Sequence, residues 1–246
     1  MSVPCPNLGL SGYGWGTGDP SLSKLCVDAE ESFDASNVLL REVGCDTAKR
    51  ICWGRSIGAT CAVHLAARRA RHIFGLVIDS GLMSIKQLPL LGVLGQQMMG
   101  PQAAGLLAVL PEPCGTLAKL RSITCPLLVM HGVSDEIVPF NQGVQCHDQC
   151  GSESKSLVQF VAGHNDVTAL HYAKWSESIL ALMRDAASFP NTFPAGTIVE
   201  TVGLKAQDFC GLRGEVTGAK GDRVLVLLPE KGEKALKPEN LNVVDT

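Results

Sequence analysis

Hydrophobic residues follow two patterns along this chain, and the patterns alternate. Short apolar runs at Ile73–Ser80, Pro126–His131 and Ser156–Val161 predict strands buried on both faces. A shorter run at Arg50–Trp53 predicts another, and Leu8-Gly9-Leu10 a strand remnant feeding the glycine-dense loop Ser11–Gly18. Between them, apolar residues recur every three, four or seven positions. Leu22, Cys26, Ala29, Phe33 and Leu40 place a helix from Asp19-Pro20-Ser21 to about Val43, stopped by Gly44. Further helices are predicted over Ala59–Arg71, near Phe140–Cys150 and over Val167–Arg184. Strand and helix in alternation predict an α/β fold, a mostly parallel sheet with helices on both faces, over residues 1–184.

The alternation breaks twice. Residues 81–120 are rich in Leu, Gly, Met and Pro, with too few charges for a solvated face and too many helix breakers for one helix. Two readings stand open there: an apolar, cap-like insertion, or ordinary helices packed on the sheet. Residues 185–195 read as a linker of small residues and prolines. Beyond it, at 196–246, short strands at Thr197–Val202, Arg213–Val216, Arg223–Leu228 and Glu233–Leu236 alternate with Gly and Pro turns, the pattern of a small all-β barrel.

Composition narrows the function classes. Of 246 residues, 46% are hydrophobic, enough for a substantial core, and the formal net charge of −3 gives no reason to expect nucleic acid as a partner. In residues 196–246, seven Lys/Arg face eight Asp/Glu, again a balance that does not favour nucleic acid. The first six residues lack the basic and apolar regions of a secretory signal. Ten cysteines, several inside apolar segments, therefore read as reduced thiols in an intracellular, cytoplasmic protein. Cys146 and Cys150 are spaced like a metal pair but have no second pair at zinc-site spacing, so no metal or other cofactor is expected.

The chemistry centres on Gly54-Arg55-Ser56-Ile57-Gly58, a G-x-S-x-G sequence between the Arg50 strand and the Ala59 helix. That pattern puts a serine on a sharp strand-to-helix turn, with both glycines expected to relieve the strand–helix crossing. The Ile57 amide, at the helix N-terminus, is the expected oxyanion contact. A serine hydroxyl needs a base, and the base an orienting carboxylate. Asp135 follows the Pro126–His131 strand and His164 the Ser156–Val161 strand, so both belong to the sheet edge that presents Ser56. The order Ser, Asp, His is the one this arrangement requires. Glu136 and Asp166 are the neighbouring alternatives to Asp135. His131 reads as a core histidine, His64 and His72 as surface residues, and His171 as part of the last helix.

With these motifs assembled, residues from about Leu8 to Arg184 resemble an α/β-hydrolase domain, most similar to the branch containing protein depalmitoylases, membrane-associated acyl-thioesterases. Ser11-Gly12-Tyr13-Gly14, Gly54–Gly58, His131–Asp135 and Gly163–Asp166 carry the match. The resemblance implies Ser56 as nucleophile, Asp135 as orienting acid and His164 as general base. The tail from Gly196 to Val244 resembles SH3-like barrels, with Leu236–Leu241 as the closing strand and turn. In the α/β-hydrolase family three strands precede the one at Leu8, and the loop after the third supplies a second oxyanion amide. Seven residues stand ahead of Leu8 here, so the expected sheet is incomplete at its front and the oxyanion loop missing.

The expected function is cleavage of an acyl ester or thioester, with a lipidated protein among the substrates and peripheral association with membranes. Leu82, Met83, Met98 and Met99 of the insertion are the expected acyl-binding residues. A serine peptidase is the enzymatic alternative. A silent hydrolase fold used for binding is the other, with the barrel taking a peptide or protein ligand.

Overall fold

The structure is a computed structural model describing residues 18–19, 21–44, 50–99, 112, 115–189, 193, 196–220 and 223–244. The Leu8 strand and the glycine loop up to residue 17 lie outside the described residues, as does the stretch 100–111 of the insertion. The chain divides into two units, Met1–Phe189 and Pro190–Thr246.

In the first unit, four strands form a parallel sheet in the order β1 (Arg50–Arg55), β2 (Ile73–Asp79), β3 (Leu127–Gly132), β4 (Lys155–Phe160). Every residue of β2 and β3 is buried, as expected of unbroken apolar runs. Among the described residues β1 and β4 are the edge strands and only partly buried; the Ser156–Val161 run is therefore covered less than its pattern predicts, with Val161 itself exposed.

Alternation along each strand sorts side chains between two helical layers. Leu76, Ile78, Leu127 and Val129 face a core with Ala59, Val63 and Ala66 of α2 (Gly58–Arg68), Leu120 of α4 (Thr116–Leu120) and Cys146 of α5 (Phe140–Gln149). Phe33 of α1 (Leu25–Glu42) joins the same layer. Val77, Leu128 and Met130 face the other way, against Val167 and Leu182 of α6 (Val167–Ser188). Helix α1 starts later than predicted. Leu22 precedes it and is exposed, and the buried stripe is Leu25, Ala29 and Phe33 at four-residue spacing. The insertion holds a 3₁₀ turn at Ile85–Gln87 and α3 (Pro89–Met99) before α4.

Burial pushes the Cys52 thiol up to about 11 and that of Cys125 to about 12, so both stay protonated as small apolar side chains. His64 is a correction to the sequence reading. It is buried, its Nε2–H donating to Glu30 at 2.6 Å while its Nδ1 accepts from Lys119 Nζ at 2.6 Å. A short polar relay thereby ties α1 to α2 and α4.

The second unit is an antiparallel sheet in the order β8 (Gly232–Leu236), β7 (Arg223–Leu228), β6 (Arg213–Lys220), β5 (Ile198–Thr201), β9 (Leu241–Val243). A 3₁₀ turn at Pro238–Asn240 leads into β9, so the turn lies within the Leu236–Leu241 stretch expected to close the unit and the last strand begins at its end, Leu241. Val199, Val216, Val226, Leu228 and Leu241 form a core of its own.

Candidate active site

Ser56 follows directly on β1 and is held in the left-handed backbone region at φ 51°. For a serine that conformation is strained, and it persists only where the surroundings fix it. Three backbone hydrogen bonds do so: Ser56 N–H donates to Asp79 C=O at 3.0 Å, and Ser56 C=O accepts from Ala59 N–H at 3.1 Å and Leu82 N–H at 3.0 Å. Only one of the two motif glycines is sterically required. A Cβ on Gly54 would lie 2.4 Å from Gly58 O, whereas one on Gly58 would meet open space. This corrects the expectation that both glycines relieve the crossing. Ile57 caps α2, and its N–H precedes the first hydrogen-bonded turn, which begins with Ala59 and Thr60.

Asp135 and His164 meet at the same end of the sheet. His164 Nδ1 lies 2.7 Å from Asp135 Oδ2, and both residues are buried. The other carboxylate oxygen, Oδ1, accepts from the N–H groups of Ile137 at 3.0 Å and Val138 at 2.8 Å, a turn that fixes the carboxylate before any partner arrives. His131 is a core histidine, as its buried run implied. Its Nε2–H donates to Val138 C=O at 2.9 Å with Asp135 Oδ2 at 3.3 Å, and burial holds its pKa below the usual imidazole value. A neutral His131 therefore braces the Asp135 turn from below. His171 lies on α6, at a kink.

Leu82 and Met83 are buried and, with Ile57 and Thr60, line a cavity of about 10 Å³. That is room for about one water molecule. Gln142 Oε1 accepts from the Met83 and Ser84 amides and Thr60 Oγ1 donates to Leu82 C=O, fixing this segment beside the serine turn. Met98 and Met99 end α3, and their side chains lie outside the described residues.

This geometry belongs with what the chain resembles. A family model described as the prolyl oligopeptidase family matches residues 26–189, more than half of the chain. The chain belongs to that family. The curated relatives that the chain matches carry α/β-hydrolase names. The chain is 34% identical to alpha/beta hydrolase domain-containing protein aho-3 of Caenorhabditis elegans over 163 residues, 66% of this chain and 44% of that one. It is 29% identical to human alpha/beta hydrolase domain-containing protein 17C over 169 residues, 69% of this chain and 46% of the relative. The chain thus spans about half the length of the curated relatives it matches. Among solved structures, a Pyrococcus furiosus esterase, Pf2001, superposes with a TM-score of 0.53 at 15% identity, over 71% of this chain and 68% of that one. At that identity the likeness shows the fold, that of an α/β hydrolase.

Three further side chains, of Arg55, Asp79 and Glu136, reach the site of this prolyl oligopeptidase family member. Arg55 Nη2 donates to His164 C=O at 2.7 Å and Asn165 Oδ1 at 2.9 Å, while its Nε lies 4.0 Å from the buried Asp79 carboxylate. Burial raises the Asp79 pKa, against the lowering effect of Arg55. Their signal in the sequence is a pair of charges at the ends of apolar strands, which no fold requires. Glu136, weighed above only as an alternative acid, instead accepts from the His164 N–H at 3.3 Å through Oε2.

Proposed function

We propose that the chain is a serine hydrolase cleaving an acyl ester or thioester. The observation that carries this reading is a serine forced into a left-handed turn at the sheet edge where a buried Asp–His pair sits. Ser56 Oγ attacks the acyl carbonyl while His164 Nε2 takes its proton. Asp135, at Nδ1, fixes the tautomer and stabilises the imidazolium. The Ile57 N–H donates to the oxyanion, and His164 returns the proton to the leaving group. Water then repeats the sequence on the acyl-enzyme. The resemblance to depalmitoylases supports an ester or thioester over an amide and points to acyl chains carried by proteins, close to membranes. No described helix is long and apolar enough to cross one.

For the second unit, the strand order with a 3₁₀ turn before its last strand supports an SH3-like barrel. A groove of about 580 Å³ bordered by Ile198, Leu227, Pro229 and Glu230 suits an extended peptide.

A fluorophosphonate probe tests the hydrolase reading on the full chain. Labelling that disappears in Ser56→Ala is expected, followed by turnover of p-nitrophenyl acyl esters or a palmitoyl-thioester peptide. Absence of Ser56-dependent labelling would overturn the reading in favour of a silent binding fold.

A further inference from the structure

The base and the nucleophile come from opposite edges of the sheet. β1, which delivers Ser56, and β4, which precedes His164, are separated by two strands. At about 4.8 Å per strand that is roughly 14 Å, so the loop after β4 has to travel back across the sheet edge and be held there. A hydroxyl–imidazole hydrogen bond alone is too weak to hold a loop at that distance from its strand.

We propose that Arg55 is a positioning residue that sets the separation between Ser56 and His164, working with Glu136 as a two-sided clamp on the His164 peptide. The proposal rests on the serine-hydrolase reading for its kinetic consequences, though not for its geometry. On one side, Arg55 Nη2 donates to His164 C=O at 2.7 Å and to Asn165 Oδ1 at 2.9 Å. On the other, Glu136 Oε2 accepts from the His164 N–H at 3.3 Å. The approach of Glu136 needs the glycine before the histidine, since a Cβ on Gly163 would lie 2.8 Å from Glu136 Oε2. The imidazole itself is held separately, by Asp135 at 2.7 Å. Asp135 and Glu136 both come from the loop after β3. Arg55 is therefore the tie that refers His164 to the serine, its own neighbour in sequence. Without it, the imidazole keeps its tautomer and its carboxylate but loses its register with the hydroxyl.

The guanidinium also answers the buried Asp79 carboxylate at 4.0 Å. Removing it leaves the buried Asp79 carboxylate without its guanidinium neighbour. A lysine carries the charge but not the fork that spans a carbonyl and an amide oxygen.

The test uses the full chain as wild type, Arg55→Lys and Arg55→Ala. It measures fluorophosphonate labelling of Ser56 between pH 5 and 9, and kcat and KM for p-nitrophenyl acetate. Arg55→Ala is expected to lower labelling and kcat by about 100-fold with KM little changed, the cost of misplacing a reacting group by about 1 Å. Arg55→Lys recovers only part of the rate, and added guanidinium partly restores Arg55→Ala. Wild-type kcat and labelling in Arg55→Ala would overturn the proposal. If wild type itself shows no Ser56-dependent labelling, the hydrolase reading falls and the clamp is decided by the ¹⁵N and ¹H imidazole resonances of His164. Displaced resonances in Arg55→Ala support the clamp, and unchanged resonances overturn it. Failure of Arg55→Ala to fold shifts the comparison to Arg55→Lys, where a wild-type rate would equally sink the proposal.

Discussion

At the scale of single residues, the serine turn shows how a motif can be legible while its physics is not. The spacing Gly54, Ser56, Gly58 announced the turn, and the strained φ of Ser56 bears that out. The assignment of equal weight to the two glycines fails because the close approach is one-sided: the backbone of Gly58 and Ala59 crowds position 54, and nothing crowds position 58. Gly54→Ala is therefore expected to cost about 3 kcal/mol by overpacking, or to prevent folding. Gly58→Ala, at the start of α2, should be neutral or stabilise by about 0.5–1 kcal/mol, because it removes freedom from the unfolded chain. Thermal or urea denaturation of both variants checks the contrast, and equal losses would refute it. The acid is a second case. Asp135 was placed by its position after a buried strand, and its carboxylate is pre-set by two backbone amides. Asp135→Asn keeps that turn but presents His164 with the wrong tautomer, so a fall in kcat of about 10⁴-fold is expected, with folding retained. Ester turnover alongside the far-ultraviolet spectrum reads both parts.

At the scale of elements, apolar runs located the four strands of the sheet to within a few residues, and most plainly β2 and β3, because a strand covered on both faces has little choice of composition. What the runs left unread was the polar matter between elements. His64 sits among arginines in sequence and looked solvated, yet helical geometry turns it inward to meet Glu30 and Lys119, three residues far apart along the chain. Arg55 was illegible for the same reason, its partners lying more than a hundred positions away. Two of the buried histidines, His64 and His131, carry a consequence for stability. Burial lowers the pKa of His131, and likewise that of His64, where the Lys119 charge adds to the effect. Their folded pKa values lie below the unfolded value of about 6.5, so their contribution is whole above that pH. It is lost as pH falls through the folded values, because only the unfolded chain takes up the protons readily. The melting temperature is expected to drop between pH 7.5 and pH 5.5. Part of that drop should vanish in His131→Asn, whose amide can still donate to Val138. A pH-independent melting temperature in wild type, or an unchanged slope in the variant, would count against buried neutral histidines.

At the scale of the whole molecule, the sequence signalled two regimes: strand–helix alternation up to the 185–195 stretch, and short strands with Gly and Pro turns after it. The two units of the structure have separate cores. In the first, Leu76, Ile78, Leu127 and Val129 pack with α2 on one face of the sheet, and Val77, Leu128 and Met130 pack with α6 on the other. In the second, Val199, Val216, Val226, Leu228 and Leu241 pack together, and among the described residues the strands pair with one another. Cooperativity in unfolding follows shared cores, because a unit melts as one only when losing part of its packing exposes the rest. Two cores without common members predict two transitions. Calorimetry of the full chain is therefore expected to resolve a larger transition for the first unit and a smaller one for the second, in proportion to the residues each holds. The smaller core should be the more sensitive to single truncations. Val226→Ala removes two methyl groups from a fully buried site in a unit with few other apolar contacts. It is expected to lower or abolish the second transition while leaving the first, and Ser56 labelling, where they were. A single transition that moves as a whole in Val226→Ala would show that the units stabilise one another, and with it that the second unit contributes to the stability of the first.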